Sequence, residues 1–69
     1  MNVGDMVTTL YDSGQKNKTV GIVLSPPRVI RSHNGVDVRV VEVEWIGWNI
    51  REDYSYPHLE VIAKAKDGG

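Results

Sequence analysis

Four aromatic side chains fall within twelve residues: Trp45, Trp48, Tyr54 and Tyr56. Such rings bury large areas and attract cations to their faces, and interfaces are enriched in Trp and Tyr. Trp45 continues the alternation of Val41 and Val43, so it is expected in the core, where a Trp buries ~150–250 Å². Trp48 comes just after a turn at Ile46-Gly47. It is either a packing partner of Tyr54 or a contact residue. Tyr54 and Tyr56 share strand parity and can flank it.

Other chemistries lack their residues. His33 lies beside a hairpin turn and His58 follows a proline. Ser13, Ser25, Ser32 and Ser55 are available as hydroxyls, but no strand–elbow–helix context presents one as a nucleophile. Both histidines read as solvent-exposed turn residues. Two His with no Cys and no i, i+4 spacing make a poor zinc site. Asp12-Ser13-Gly14 is too short and too poor in acids for a calcium loop. Glu42 and Glu44 alternate on one strand face, as on a solvated surface, and no Gly-rich phosphate loop exists. No catalytic residue, metal or cofactor is expected.

The net charge is −1 and the isoelectric point is near 6.0, unlike a dedicated duplex-DNA binder. The charge is segregated along the chain. Residues 13–39 carry five basic side chains against Asp37 alone, and residues 40–62 carry five acids against Arg51 alone. Within the basic half, Lys16, Lys18, Arg28 and Arg31 are alternative phosphate contacts.

These groups must be positioned by strands. No window shows apolar residues at helical spacing, and Val dominates the apolar set. Strands are expected at Met6–Leu10, Thr19–Leu24, Arg28–His33, Val36–Trp45, Trp48–Arg51 and Leu59–Ala63, with Pro26-Pro27 interrupting pairing. Gly21, inside a strand, marks a bend or a close backbone approach. Asn34-Gly35 predicts a type I′ hairpin turn with positive φ at both residues. Val36, Val38 and Val40 alternate in one phase, and Val41, Val43 and Trp45 in the other. That slip predicts a β-bulge or sharp coil near Val40-Val41. Tyr56-Pro57-His58 suits a short 3₁₀ turn. A chain of 69 residues is one domain, burying only ~60% of its unfolded surface. It is expected to be a small five-stranded all-β barrel over residues 1–63, with a flexible tail over 64–69. No apolar run approaches the ~20 residues that span a membrane. Residues 1–5 lack the basic and apolar regions of a signal peptide, and Cys is absent, so a cytoplasmic location is expected.

Three fragments resemble SH3-like barrels of the Tudor and KOW type. Val3-Gly4-Asp5-Met6-Val7 is similar to their opening V-G-D-x-V strand, and Gly21-Ile22-Val23-Leu24 to their G-x-V second strand. Val43-Glu44-Trp45-Ile46-Gly47, with Leu59-Glu60-Val61-Ile62 later, is similar to their V-x-W-x-G … L-x-x-I ending. Small proteins of this pattern occur among uncharacterised proteins of tailed bacteriophages. The resemblance implies a non-catalytic binding module, or a phage structural or assembly component. In Tudor-type barrels, aromatics near the loop ends can form a cage for a methylated cation. By that resemblance Tyr11 joins Trp48, Tyr54 and Tyr56 as a binding residue. RNA-binding KOW domains have a longer glycine-studded loop where this chain offers only Gly14. A protein or peptide partner is therefore expected ahead of nucleic acid.

Overall fold

The structure is a computed structural model that describes residues 1–65. Six strands form one antiparallel sheet: β1 (Met6–Thr9), β2 (Gly21–Val23), β3 (Arg28–Arg31), β4 (Asp37–Trp45), β5 (Ile50–Ser55) and β6 (Leu59–Ala63). A 3₁₀ turn, Tyr56–His58, precedes β6, as the sequence predicts. β4 is the spine of the sheet. It carries β2 and β3 end to end along one edge and β5 along the other, while β1 joins β2 to β6.

The sheet has six strands, one for each expected strand segment, and not the five of the expected barrel. Pro26 and Pro27 cannot donate to a ladder, so they divide into β2 and β3 what would otherwise be one long partner of β4. The expected bulge near Val40-Val41 is not in β4, which pairs with β5 in one unbroken register from Val40↔Ser55 to Trp45↔Ile50. The irregularity lies opposite. Between Val23↔Val43 and Arg28↔Val40 the chain advances five residues on one side and three on the other. Leu24–Pro27 absorbs the excess, and Ser25 Oγ accepts the Glu42 N–H at 3.0 Å. The change of phase is thus a change of neighbourhood. Val41, Val43 and Trp45 face the core, while Val36 lies exposed on the β3–β4 hairpin, whose strand β3 is exposed throughout. Val40 is buried outside the main cluster.

The core cluster is Val7, Val23, Val41, Val43, Trp45 and Leu59, with Met1, Tyr54, Tyr56 and Val61 packed against it. Trp45 is only 6% exposed. Its ring meets that of Tyr54 edge-on, centroids 5.5 Å apart and planes at 80°, a geometry worth ~0.5–1.5 kcal/mol beyond area burial.

The β3–β4 turn differs from the two-residue type expected. Gly35 donates its N–H to the Ser32 carbonyl at 2.9 Å, and Ser32 N–H to the Val36 carbonyl at 2.9 Å. Gly35 has φ +82° whereas Asn34 is not left-handed. His33 and Asn34 thus form the centre of a turn that Gly35 closes, the three-residue hairpin pattern. Gly35→Val should lower the stability by ~1 kcal/mol or more, because a β-branched residue resists positive φ. An unchanged urea midpoint would mean that the turn rearranges freely.

Both ends of the described chain meet at Asp5, a buried carboxylate. Oδ1 accepts the Ala65 N–H at 2.7 Å and Oδ2 the Asn2 N–H at 2.8 Å. Ala65 is thus bonded to Asp5, and residues 66–69, most of the tail expected to be flexible over 64–69, lie outside the described residues. The Ala65 bond, then the Asn2 bond, hold the Asp5 carboxyl below the usual carboxylate range. A depressed folded pKa contributes stability that is present above the unfolded pKa and lost as pH falls through the folded value. Acid titration should therefore lower the melting temperature, and Asp5→Asn should flatten that dependence. Identical acid profiles for the two proteins would remove Asp5 as the tether.

Candidate functional site

The turn between β4 and β5 presents Trp48. Sequence spacing put Trp48 at the start of a strand. Instead the turn runs through Asn49, and β5 begins at Ile50 and continues to Ser55. Trp48 N–H reaches the Trp45 carbonyl at 3.3 Å. Gly47 sits at φ +89° in the position that a type II turn reserves for glycine. Asn49 is left-handed at φ +54°, a conformation that Asn tolerates better than most residues. Two left-handed residues thus bracket Trp48 and hold it outward, 66% exposed.

Beneath it lies an open groove of about 270 Å³. One wall is Trp48 with Ile50, Glu52 and Tyr54, alternate residues on one face of β5. The buried Trp45 forms the floor. Thr9, at the end of β1, and Thr19, before β2, form the far side. That far side is pinned. Leu10 N–H donates to the His58 carbonyl at 2.9 Å, Asp12 N–H to the Thr9 carbonyl at 3.0 Å, and Thr19 N–H to Asp12 Oδ2 at 3.3 Å. Ser13 donates to the Glu60 carboxylate. The groove is largely aromatic and aliphatic, with two threonine hydroxyls, the Tyr54 phenol and one carboxylate. It suits a ligand that is mostly apolar and carries few polar groups.

Of the four aromatics expected to form one patch, the structure brings together Trp48 and Tyr54. Tyr56 turns into a second depression of about 320 Å³ with Pro27, Arg28, Val29 and Arg39. There its hydroxyl accepts a hydrogen bond from Arg39 Nη1 at 3.2 Å, which favours the charged guanidinium and raises its pKa. Tyr11 is 93% exposed and lies on the β1–β2 connection beside Asp12, Gln15, Lys16 and Asn17.

The four basic candidates are also dispersed. Arg28 is ion-paired with Asp53 and donates to Ser25 Oγ at 3.0 Å. Arg31 lies 3.5 Å from Asp37. Lys16 and Lys18 are on the β1–β2 connection and make no ion pair among the described residues. His33 and His58 are both exposed. Among the described residues no group of three His, Cys, Asp or Glu side chains could hold a metal ion.

The spacing argument missed Ile50, Glu52, Thr9, Thr19 and Arg39. A signal for two of them was present: Ile50 and Glu52 share the parity of Tyr54. It was hidden by ending the strand at Arg51. No helix is long and apolar enough to cross a membrane among the described residues. The chain matches no protein-family model, no curated protein and no solved structure.

Proposed function

We propose that the chain is a non-catalytic binding module on a small SH3-like barrel, and that it contacts a protein or peptide through the Trp48–Tyr54 groove. The barrel reading is supported by the strand connections. The divided partner of β4, β4 itself and β5 follow one another as a meander, and β1 pairs with both β2 and β6 after the 3₁₀ turn. The observation that carries the functional reading is Trp48 itself. A large ring held two-thirds exposed by two left-handed residues, above a groove floored by a second Trp, has the composition of an interface anchor.

Trp48→Ala tests this directly. The ring is mostly outside the core, so the melting temperature should change little. Partner affinity should fall by ~2 kcal/mol or more, as at a binding hot spot. The measurement is retention of host proteins on immobilised wild-type and variant chains, alongside a thermal melt of each. A variant that loses its fold first would make Trp48 a packing residue. A stable variant that retains the same proteins would end the proposal.

A second reading has its own observation. Among the described residues Lys16 and Lys18 make no ion pair, and they stand on the same connection as the exposed Tyr11, which can stack on a base. A weak nucleic-acid contact there would lose affinity steeply with added salt as counterions are released. Contact through the aromatic groove would change little.

A further inference from the structure

Two charges of opposite sign stand beside the aromatic face, Glu52 within β5 and Arg39 on the neighbouring strand β4. Glu52 stands in the wall beside Trp48 and Tyr54 and is the one carboxylate, with no Lys, Arg or His in the lining. It makes no ion pair among the described residues, whereas both its neighbours do: Arg51 with Glu44, and Asp53 with Arg28. Arg39, in the second depression, likewise has no carboxylate partner among the described residues. Its guanidinium donates to the Tyr56 hydroxyl. Tyr56 is four positions beyond Glu52 and shares its parity.

Each charge sets a condition on whatever covers it. A ligand that closes the groove removes water from the Glu52 carboxylate, and an apolar ligand would leave that charge desolvated and unpaired. A basic side chain meets the requirement. Its alkyl stem lies on Trp48 and Ile50, and its charge faces both the carboxylate and the aromatic rings. The guanidinium of Arg39 has five N–H donors in a planar fork. A carboxylate is the acceptor that satisfies two of them at once. Arg28 lines the same depression but is already occupied by Asp53.

We propose that this face binds an extended segment of a partner protein bearing one basic and one acidic side chain about 13 Å apart, the base beside Glu52 and Trp48, the acid on Arg39. Glu52 is paired with Val43, and Arg39 lies four residues from Val43 along β4, at ~3.3 Å per residue of strand. An extended partner segment also projects alternate side chains to one side, so its two charged residues are four positions apart. The inference rests on the aromatic-groove reading and adds the chemistry of the partner. A polyanion fits poorly, because Glu52 opposes it in the middle of the surface.

The probe is a short capped peptide of threonine and valine with one lysine and one glutamate four positions apart, made in both orders. Binding is followed by NMR titration of the Trp48 indole N–H and the Tyr54 ring. One order should bind best. Replacing its lysine or its glutamate with glutamine should each weaken binding about fivefold, the scale of an exposed cation–π or charge contact. Glu52→Gln should abolish the penalty for losing the lysine and leave that for the glutamate. Arg39→Gln should do the reverse, and Arg39→Lys should restore most of the glutamate's effect. Thermal melts of the three variants establish that each is folded. Equal affinities for charged and neutral peptides would overturn the charge pairing and leave the aromatic contact standing. No change at Trp48 with any of the peptides would overturn both.

Discussion

Trp45→Ala is expected to leave the chain largely unfolded in water. Trp45 touches the problem of a small domain at its weakest point. A chain of 69 residues builds one modest core and retains only ~3–5 kcal/mol of net stability. Replacing a buried aromatic by Ala costs ~3–5 kcal/mol, so one substitution removes a sum comparable to the whole. The ring is nearly inaccessible, and it joins the valines of β1, β2 and β4 to Tyr54 on β5. Without it β5 loses its main apolar attachment to the core. The groove also loses its floor, so Trp48 and Tyr54 would no longer be held across from Thr9 and Thr19. Far-UV circular dichroism and a urea titration read the outcome. A cooperative transition near the wild-type midpoint would put the ring outside the core. Trp45→Phe, which keeps part of the volume, should fall between the two.

The core half of this site was legible in the sequence because period-two alternation states which side chains share a face. Val41, Val43 and Trp45 read as one inward row, and they are buried together. The 3₁₀ turn was legible from Tyr56-Pro57-His58, and β6 from its apolar residues. Alternation does not say which strand lies alongside, and here the reading stopped short. The slip at Val40-Val41 was assigned to β4, yet the surplus residues belong to its neighbour, where Pro26-Pro27 breaks the ladder. A turn confined to Ile46-Gly47 makes Trp48 the first residue of the next strand. The left-handed Asn49 extends that turn by two residues and moves β5 onward. The same displacement concealed Glu52. Strand parity links Tyr56 to Trp48 and resemblance links Tyr11, and neither carries a distance. The connection bearing Tyr11 and the 3₁₀ turn bearing Tyr56 place them apart.

Gly21 was marked by the sequence as a bend or a close approach, and the structure makes it a close approach. Its backbone φ is not left-handed, so conformational freedom is not the reason for glycine. The reason is space. A Cβ at this position would press on Val43 Cγ1 and lie 2.8 Å from Trp45 Cε3 and 3.0 Å from Cζ3. Gly21 is paired with Trp45 across β2–β4 and with Val7 across β1–β2, and Val7 and Val43 are fully buried. The neighbours have little room to retreat. Inserting a carbon into a packed core costs ~1–3 kcal/mol. Gly21→Ala is expected near the upper end, which is over half of the stability of so small a domain. The urea midpoint should fall accordingly, with the slope of the transition unchanged. A second variant identifies the cause. Val43→Ala removes the methyl groups against which the new Cβ would press, so the double variant should be less destabilised than the two single losses combined, with a coupling of ~0.5–3 kcal/mol. Strict additivity would assign the cost to the Trp45 ring edge, and Trp45→Phe should then relieve it. If Gly21→Ala alone left the midpoint where it was, β2 would not be packed against the Trp45 floor, and the support of the groove would have to come from β1 and β5.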